Sequence, residues 1–508
     1  MELSKILRGI KLRAKIKEME IKKIAYSSND CDAASLFVAI KGNRRDGHDF
    51  ANKAYEKGAR AFIAQKKLNV PKSAQVITVS DSRRALSIAS ANFYGHPSRN
   101  MKVFGVIGTN GKTTTTFLLE SILESAGFNS GVIGTINYRY AGKVLPATNT
   151  TPESLDIQKM MNDMQGVGVN ALVMEASSHA LHQGRTGKIY FDGGIFTNLT
   201  QDHLDYHLSM RNYFLSKRRF FSRSLKESSR HKNIVAAINV DDKYGQLLFD
   251  EFKDTYKLIP FSLKKCGGVY PTDVKSSVNG INLLIHTPSG DLKINTLLTG
   301  EFNIYNILGA VALSMGHGID LDVIKSGVER VKNIPGRMHK INTKAGTIFI
   351  DYAHTPDALY RVIKAVRELE PDVKRVITLF GCGGERDKKK RKIMGEIARD
   401  MSDISIITSD NPRSEEPIDI INDVLKPFHN SGIKEIDGSS SAKKGYLCYV
   451  DREVAIEKAI SIMKSGDAVI LAGKGHENYQ VVKDKNLPFN DVKVAEKYLT
   501  KKGLKIIY

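Results

Sequence analysis

Residues 101–127 read MKVFGVIGTNGKTTTTFLLESILESAG. The apolar run VFGVI leads into Gly108, Thr109, Asn110, Gly111, Lys112, Thr113 and Thr114, and an amphipathic stretch follows. Strand, glycine loop and helix, in that order, make a phosphate-binding loop. Glycines let backbone N–H groups wrap a phosphate, and the helix N-terminus adds the positive end of its dipole. Lys112 supplies a mobile cation for outer phosphates, and Thr113 supplies a hydroxyl for Mg²⁺. The spacing departs from GxxxxGK[ST]: Val106 stands where the first glycine would be, leaving the shorter GxxGKT. A chance glycine turn is the competing reading, and the ordered context argues against it.

Outward from this loop, strand-like runs alternate with helical ones. ALVMEAS, GGIFTNL and NIVAAINV follow it, with helical periodicity between, as in SLDIQKMMNDMQ. Such alternation predicts an α/β fold with a doubly wound, mostly parallel sheet. Upstream, SLFVAI, ARAFIA and AQVITV surround FANKAYEKG and predict a smaller α/β unit, closed by the turn-rich YGHPSRN. Downstream, Pro335-Gly336 breaks helical continuation, and GTIFIDYA, RVITLFG, ISIITSD and DAVILAG predict a second large α/β sheet. The expected domains are therefore 1–97, 98–334 and 335–508. The total of 508 residues is too long for one core and suits this division.

Composition narrows the class of protein. Cys31, Cys266, Cys382 and Cys448 are far apart and form no CxxC pair, which argues against a zinc site or a disulfide framework and fits a reducing compartment. The basic N-terminus lacks the apolar core of a signal peptide, and no run of about 18 apolar residues suggests a membrane span. A cytoplasmic monomer is expected. The formal charge of +21 raises nucleic acid, an acidic membrane surface or polyanionic substrates as partners. The lysines are spread along the whole chain, however, and no aromatic-interleaved basic repeat occurs, so the excess reads as a solvated surface and no nucleic acid is expected.

In open α/β sheets, ligands bind at the carboxyl ends of strands. Glu175 ends ALVME and is a Walker-B-like candidate for Mg²⁺. His203 follows GGIFTNL in TNLTQDHLDYH; histidine is an uncommon magnesium ligand, so the residue itself leaves its role open.

Ten motifs, in order, carry a family resemblance. GTNGKTTT, TNTTP, MEASSHAL, FTNLTQDHLDYH and FNIYN resemble the Mur ligases of peptidoglycan synthesis. PGRM, DYAHTPDAL, GCGGERD, DNPR and GKGHE narrow the likeness to the branch that adds the third amino acid to UDP-N-acetylmuramoyl-L-alanyl-D-glutamate. The resemblance implies an ATP- and Mg²⁺-dependent amide ligase working through an acyl phosphate. It implies three domains: an N-terminal one for the UDP end of the substrate, a central ATPase, and a C-terminal Rossmann-like α/β one for the amino acid. It implies nucleotide contacts at Asn303, Arg337, Asp351 and His354 besides the loop, and catalytic roles for Lys112, Glu175, His203 and Lys217. Lys217, in Tyr213-Phe-Leu-Ser-Lys217, matches a lysine carbamylated in the family; a carbamate turns a cation into an anion that can approach Mg²⁺, alongside Thr113, Glu175 and His203.

For the UDP-substrate the matching positions are Tyr26, Ser28, Asn149, Thr150, Thr151, Ser177, Gln183 and Arg185. An arginine grips a carboxylate bidentately, which suits Arg185 to a peptide carboxylate; the serine and threonines read equally well as caps and turns. For the amino acid they are Arg386, Asp410, Asn411, Pro412, Arg413, Gly473 and Glu477. Members that add L-lysine usually lack an arginine at the position of Arg413, so meso-diaminopimelate is expected; a bland salt bridge from Arg413 to Glu415 or Glu416 competes. The sequence departs from the family where DSR becomes Ser27-Ser28-Asn29 and a Pro-Gly turn becomes Ala33-Ala34. Other readings are an L-lysine-adding ligase, a folylpolyglutamate-synthase-like ligase, and a basic nucleic-acid protein with a vestigial ATPase. The last predicts loss of Lys112, Glu175 or His203, and all three are present. ATP motifs on both sides of Pro335-Gly336 lead us to expect relative motion of the ATPase and C-terminal domains.

Overall fold

The computed structural model describes residues 1–12, 15–42, 45–369, 371–437 and 442–507. The chain forms two compact units. One comprises Met1–Ser262, Cys266–Val269 and Leu308–Gly327; the other comprises Leu263–Lys265, Tyr270–Ile307 and Val328–Tyr508.

The first unit contains two sheets. Lys23–Ala25, Ser35–Val38, Ala61–Ala64 and Gln75–Thr78 pair in sequence order, all parallel; the last three fall in the three upstream apolar runs, and Lys23–Ala25 adds a strand those runs do not announce. The larger sheet has eight strands in the order Lys257–Phe261, Val235–Asn239, Gly193–Phe196, Lys102–Ile107, Ala171–Glu175, Ser130–Ile133, Asn137–Tyr140 and Lys143–Pro146. Its first six strands are parallel and its last two antiparallel. Central strands such as Ala171–Glu175 are buried at every residue, as a sheet covered on both faces requires. The sheet order places Lys102–Ile107 between Gly193–Phe196 and Ala171–Glu175. The phosphate loop, Glu175 and the segment leading to His203 therefore leave three adjacent strands at one edge.

The second unit carries a seven-stranded sheet in the order Gly445–Tyr449, Ile404–Thr408, Arg375–Phe380, Asp467–Ala472, Gly346–Asp351, His339–Thr343 and Ile506–Ile507. The first five are parallel. The helix Pro356–Arg367 shows how its faces are covered. Leu359, Val362, Ile363 and Val366, spaced for one helical stripe, are buried, Pro356 occupies the first turn, and the Thr355 hydroxyl accepts from Ala358 N–H at 3.3 Å.

This unit also holds an antiparallel sheet that the alternation of strands and helices does not announce: Tyr270–Ser277, Gly280–Thr287 and Gly290–Thr296. Its second strand is period-two in burial, with Ile281, Leu283 and Ile285 inward. Gly280 (φ +142°) and Gly290 (φ +127°) close its two tight turns. The overall class is the expected α/β one, built on mostly parallel sheets.

Candidate functional site

In the first unit the loop after Lys102–Ile107 is formed by local necessity. Gly111 (φ +83°) is the N-cap of the helix Lys112–Ser125, a left-handed position that favours glycine. A side chain at Gly108 would run into the Thr197 hydroxyl. The neighbouring strand-end segment straps the loop in place. Thr109 N–H donates to Asn198 O at 2.9 Å, Asn110 N–H to Asn198 Oδ1 at 2.9 Å, and the Thr197 hydroxyl to Asn110 O at 2.6 Å. Two ammonium groups converge on the Gly108 carbonyl: Lys112 Nζ at 3.0 Å and Lys217 Nζ at 2.7 Å. Lys112 also reaches Thr109 O at 2.9 Å, and Thr113 and Thr114 are buried beneath the loop.

Lys217 is 1% exposed. Burial, with the Lys112 cation adding to it, holds its amine well below the usual lysine range. Glu175 is also 1% exposed. Its carboxylate accepts from the Thr135 N–H at 2.9 Å and the Thr135 hydroxyl at 2.8 Å, and no cation of the described residues stands within ion-pair distance. A buried carboxylate without a counter-charge is costly, so this position suits a bound cation. Mg²⁺ takes few protein oxygens and keeps waters and phosphate oxygens. The Thr113 hydroxyl and Glu175 carboxylate fit that habit, and among the described residues there is no ready-made cluster of three or more His, Cys, Asp or Glu ligands. His203 is exposed on 46% of its side chain, has φ +53°, and faces the Asp202 carboxylate at 3.4 Å.

The expected UDP-substrate residues divide. Thr151, Ser177, Gln183 and Arg185 come together: Arg185 donates to Thr151 O at 2.9 Å and Gln183 Oε1 at 2.7 Å, and pairs with Glu153 at 3.1 Å. The Thr151 hydroxyl bonds Glu175 O at 2.7 Å, and the Thr150 hydroxyl lies 3.1 Å from that of Thr135, so this cluster abuts the Glu175 site. Ser177 caps the helix Ser178–Gln183, the role its residue type suggests without a ligand. Asn149 engages the Tyr138 hydroxyl through its backbone. Tyr26 donates to Asp156 at 2.7 Å, and Ser28 is buried in a short turn, Ser28–Asp30. Burial and the Asp156 charge push the Tyr26 phenol far up.

The remaining candidates belong to the second unit. Asn303 and Asn306 join through a 3.0 Å side-chain bond. The Arg337 guanidinium sits 5.2 Å from the Tyr352 ring centre, and Asp351 accepts from Met338 N–H at 2.8 Å, with burial raising its carboxyl. His354 contacts its own turn through Tyr352 O at 2.8 Å. At the carboxyl ends of Arg375–Phe380, Ile404–Thr408 and Asp467–Ala472, the motifs GCGGERD, DNPR and GKGHE converge. Arg413 (φ +55°) donates to Gly384 O at 2.7 Å and Asn411 O at 3.4 Å. The expected competitor for it, Glu415, is taken instead by Arg391 at 2.9 Å and Lys388 at 3.6 Å. Asn411 Nδ2 donates to Glu477 at 3.0 Å; Pro412 is buried, Gly473 (φ +113°) lies against Asp410, and Arg386 is exposed. Sequence reasoning singled out Gly473 and Glu477 but passed over Lys474 between them, which is 0% exposed and bonded to Asp410, Asn411 and Glu477. The signal was its place inside a motif, not its residue type.

A glycine loop beside a buried carboxylate, with a second sheet bearing paired cationic and anionic side chains, fits an ATP-using ligase. Three family models match in order: the Mur ligase family catalytic domain over residues 20–98, the Mur ligase middle domain over 106–314, and the Mur ligase glutamate ligase domain over 336–475. The chain belongs to the Mur ligase family. It is 42% identical to the UDP-N-acetylmuramoyl-L-alanyl-D-glutamate–2,6-diaminopimelate ligase of Geobacter sulfurreducens, over 96% of each chain. A solved structure of a ligase with that same description superposes with a TM-score of 0.70 at 28% identity, covering 99% of each chain. The MurF ligase of Thermotoga maritima, solved with ADP, shares the fold at 18% identity and a TM-score of 0.62, covering 94% of this chain and 98% of its own. Among the described residues, no helix is long and apolar enough to cross a membrane.

Proposed function

We propose that this chain joins meso-diaminopimelate to UDP-N-acetylmuramoyl-L-alanyl-D-glutamate, with ATP as the activating substrate. The terminal carboxylate oxygen of the UDP-substrate attacks the γ-phosphorus. The β–γ bridging bond breaks toward ADP, leaving an acyl phosphate. The neutral amine of diaminopimelate then attacks the acyl carbon, loses its proton and expels inorganic phosphate. Such chemistry asks the protein for alignment and charge neutralisation. Lys112 and the N–H groups of the first turn of the helix Lys112–Ser125 hold the phosphates; Arg185 holds a peptide carboxylate; Tyr26, Ser28, Asn149, Thr150, Thr151, Ser177 and Gln183 orient the rest of the UDP-substrate. Asn303, Arg337, Asp351 and His354 serve the nucleotide. Thr113, Glu175 and His203 would hold Mg²⁺, which would supply charge neutralisation to the phosphate oxygens. A carbamate on Lys217 would add an anion to that set, and the depressed amine supplies the neutral form that CO₂ requires. In this reading residues 1–97, 98–334 and 335–508 serve UDP-substrate, ATP and amino acid respectively, in a cytoplasmic monomer.

The observation that carries the choice of amino acid is the state of Arg413. Two carbonyl oxygens aim it, and among the described residues no carboxylate lies within ion-pair distance, so it suits the distal carboxylate that diaminopimelate has and lysine lacks. Arg386, Asp410, Asn411, Pro412, Gly473 and Glu477 complete the site. Arg413→Ala should cost about 2–4 kcal/mol in kcat/KM with diaminopimelate and much less with lysine. Equal weakening of both, in steady-state kinetics, would reject the assignment.

A further inference from the structure

Lys474 has no place in the ligation described above, yet it is a fully enclosed cation in the midst of the second unit's candidate residues. Its side chain is 0% exposed. An ammonium group has three N–H donors, and here each has one acceptor: Asp410 Oδ1 at 3.3 Å, Asn411 Oδ1 at 3.0 Å and Glu477 Oε2 at 3.1 Å. Those three residues come from two separate motifs, at the ends of two different strands, Ile404–Thr408 and Asp467–Ala472. The link is closed on itself, because Asn411 Nδ2 donates to the same Glu477 oxygen at 3.0 Å.

It also extends toward Arg413. Asn411 Oδ1 takes a second bond from Val481 N–H at 2.8 Å, Val481 O accepts from Arg413 N–H at 3.0 Å, and Lys483 N–H donates to Arg413 O at 2.7 Å. The left-handed turn at Arg413 is thus pinned by the hairpin of Tyr479–Val482 and Lys485–Pro488, and the hairpin is pinned through Asn411 to Lys474. Two carboxylates this close repel unless a cation lies between them. Buried charges without such a partner are strongly disfavoured.

We infer that Lys474 is a positioning residue for amino-acid recognition: it never meets the reacting atoms, but it fixes Asp410, Asn411 and Glu477 in one arrangement and, through Asn411 and the hairpin, holds Arg413 at its distance from them. The inference rests on the reading of this cluster as the amino-acid site.

The test compares Lys474→Met with Arg413→Ala in the full-length enzyme, measuring KM for diaminopimelate, KM for ATP, kcat and the thermal shift each ligand produces. Lys474→Met should raise KM for diaminopimelate at least 30-fold and abolish its thermal shift, while KM for ATP and the shift from an ATP analogue stay within about twofold. If Lys474→Met does not fold, Lys474→Gln, whose amide keeps two donors, offers the same comparison with a smaller rise, at least fivefold. A diaminopimelate KM within threefold of the parent in Lys474→Met, or both KM values rising together, would overturn the positioning role. Failure of the underlying reading looks different: Arg413→Ala would then leave diaminopimelate binding unchanged.

Discussion

Lys112 and Lys217 approach one carbonyl oxygen, that of Gly108, from two different helices. Both are lysines in a basic chain, and only one was legible from its neighbours: Lys112 sits between strand and helix, whereas Lys217 reads as an ordinary helix lysine in SKRRFF. Burial distinguishes it, and burial comes from packing that no local pattern encodes. Lys112→Ala should lower kcat at least 100-fold with the fold intact by circular dichroism; near-normal turnover would remove the phosphate assignment. For Lys217 the pH dependence follows from the sign of its shift. The folded-state amine titrates below the ordinary lysine value, so at neutral pH a larger fraction is neutral than in an exposed lysine. At fixed dissolved CO₂, carbamylation, read by ¹³C NMR of the Mg²⁺-loaded enzyme, should increase as pH rises and vanish on acidification. A free amine throughout the active range would contradict it.

At the scale of elements, the strands that end at candidate site residues were readable because they are short, apolar and followed by polar clusters. VFGVI, ALVME, GGIF, RVITLF, ISIIT and DAVILA all form strands within a residue or so of those limits. The antiparallel sheet over Tyr270–Thr296 was not read, because Tyr270–Ser277 is largely exposed and carries little apolar signal. What supports the functional loops from behind was also silent in the sequence. Arg452 and Asp491, both 0% exposed, form a bidentate pair at 2.8 and 2.7 Å, and Arg452 donates to Ala472 O at 3.0 Å, one residue before Gly473. Two helices, Arg452–Ile462 and Asp491–Lys501, are thereby tied to the strand that presents GKGHE. Asp491→Ala should cost about 3–5 kcal/mol in urea denaturation, because it strands a buried guanidinium, and replacing both partners by leucine should cost less than that single change. A single change worth under ~1 kcal/mol would show that the pair does not brace the loop.

The glycine loop Gly108–Thr114 lies in one compact unit and the candidate amino-acid residues in the other. The family and its order of motifs were legible across nearly the full length, since most of the motifs are strand ends with chemically specific tails, while FNIYN lies inside the helix Glu301–Gly316 and PGRM just precedes the strand His339–Thr343. The most direct measurement of the central claim is ligation itself: the enzyme with ATP, Mg²⁺ and UDP-N-acetylmuramoyl-L-alanyl-D-glutamate, given diaminopimelate, L-lysine or no amino acid, following phosphate release and product mass. We expect stoichiometric phosphate and tripeptide product with diaminopimelate, at a rate well above that with lysine at equal concentration, and no product without an amino acid. Faster ligation of lysine, or phosphate release unaffected by the amino acid supplied, would contradict the account.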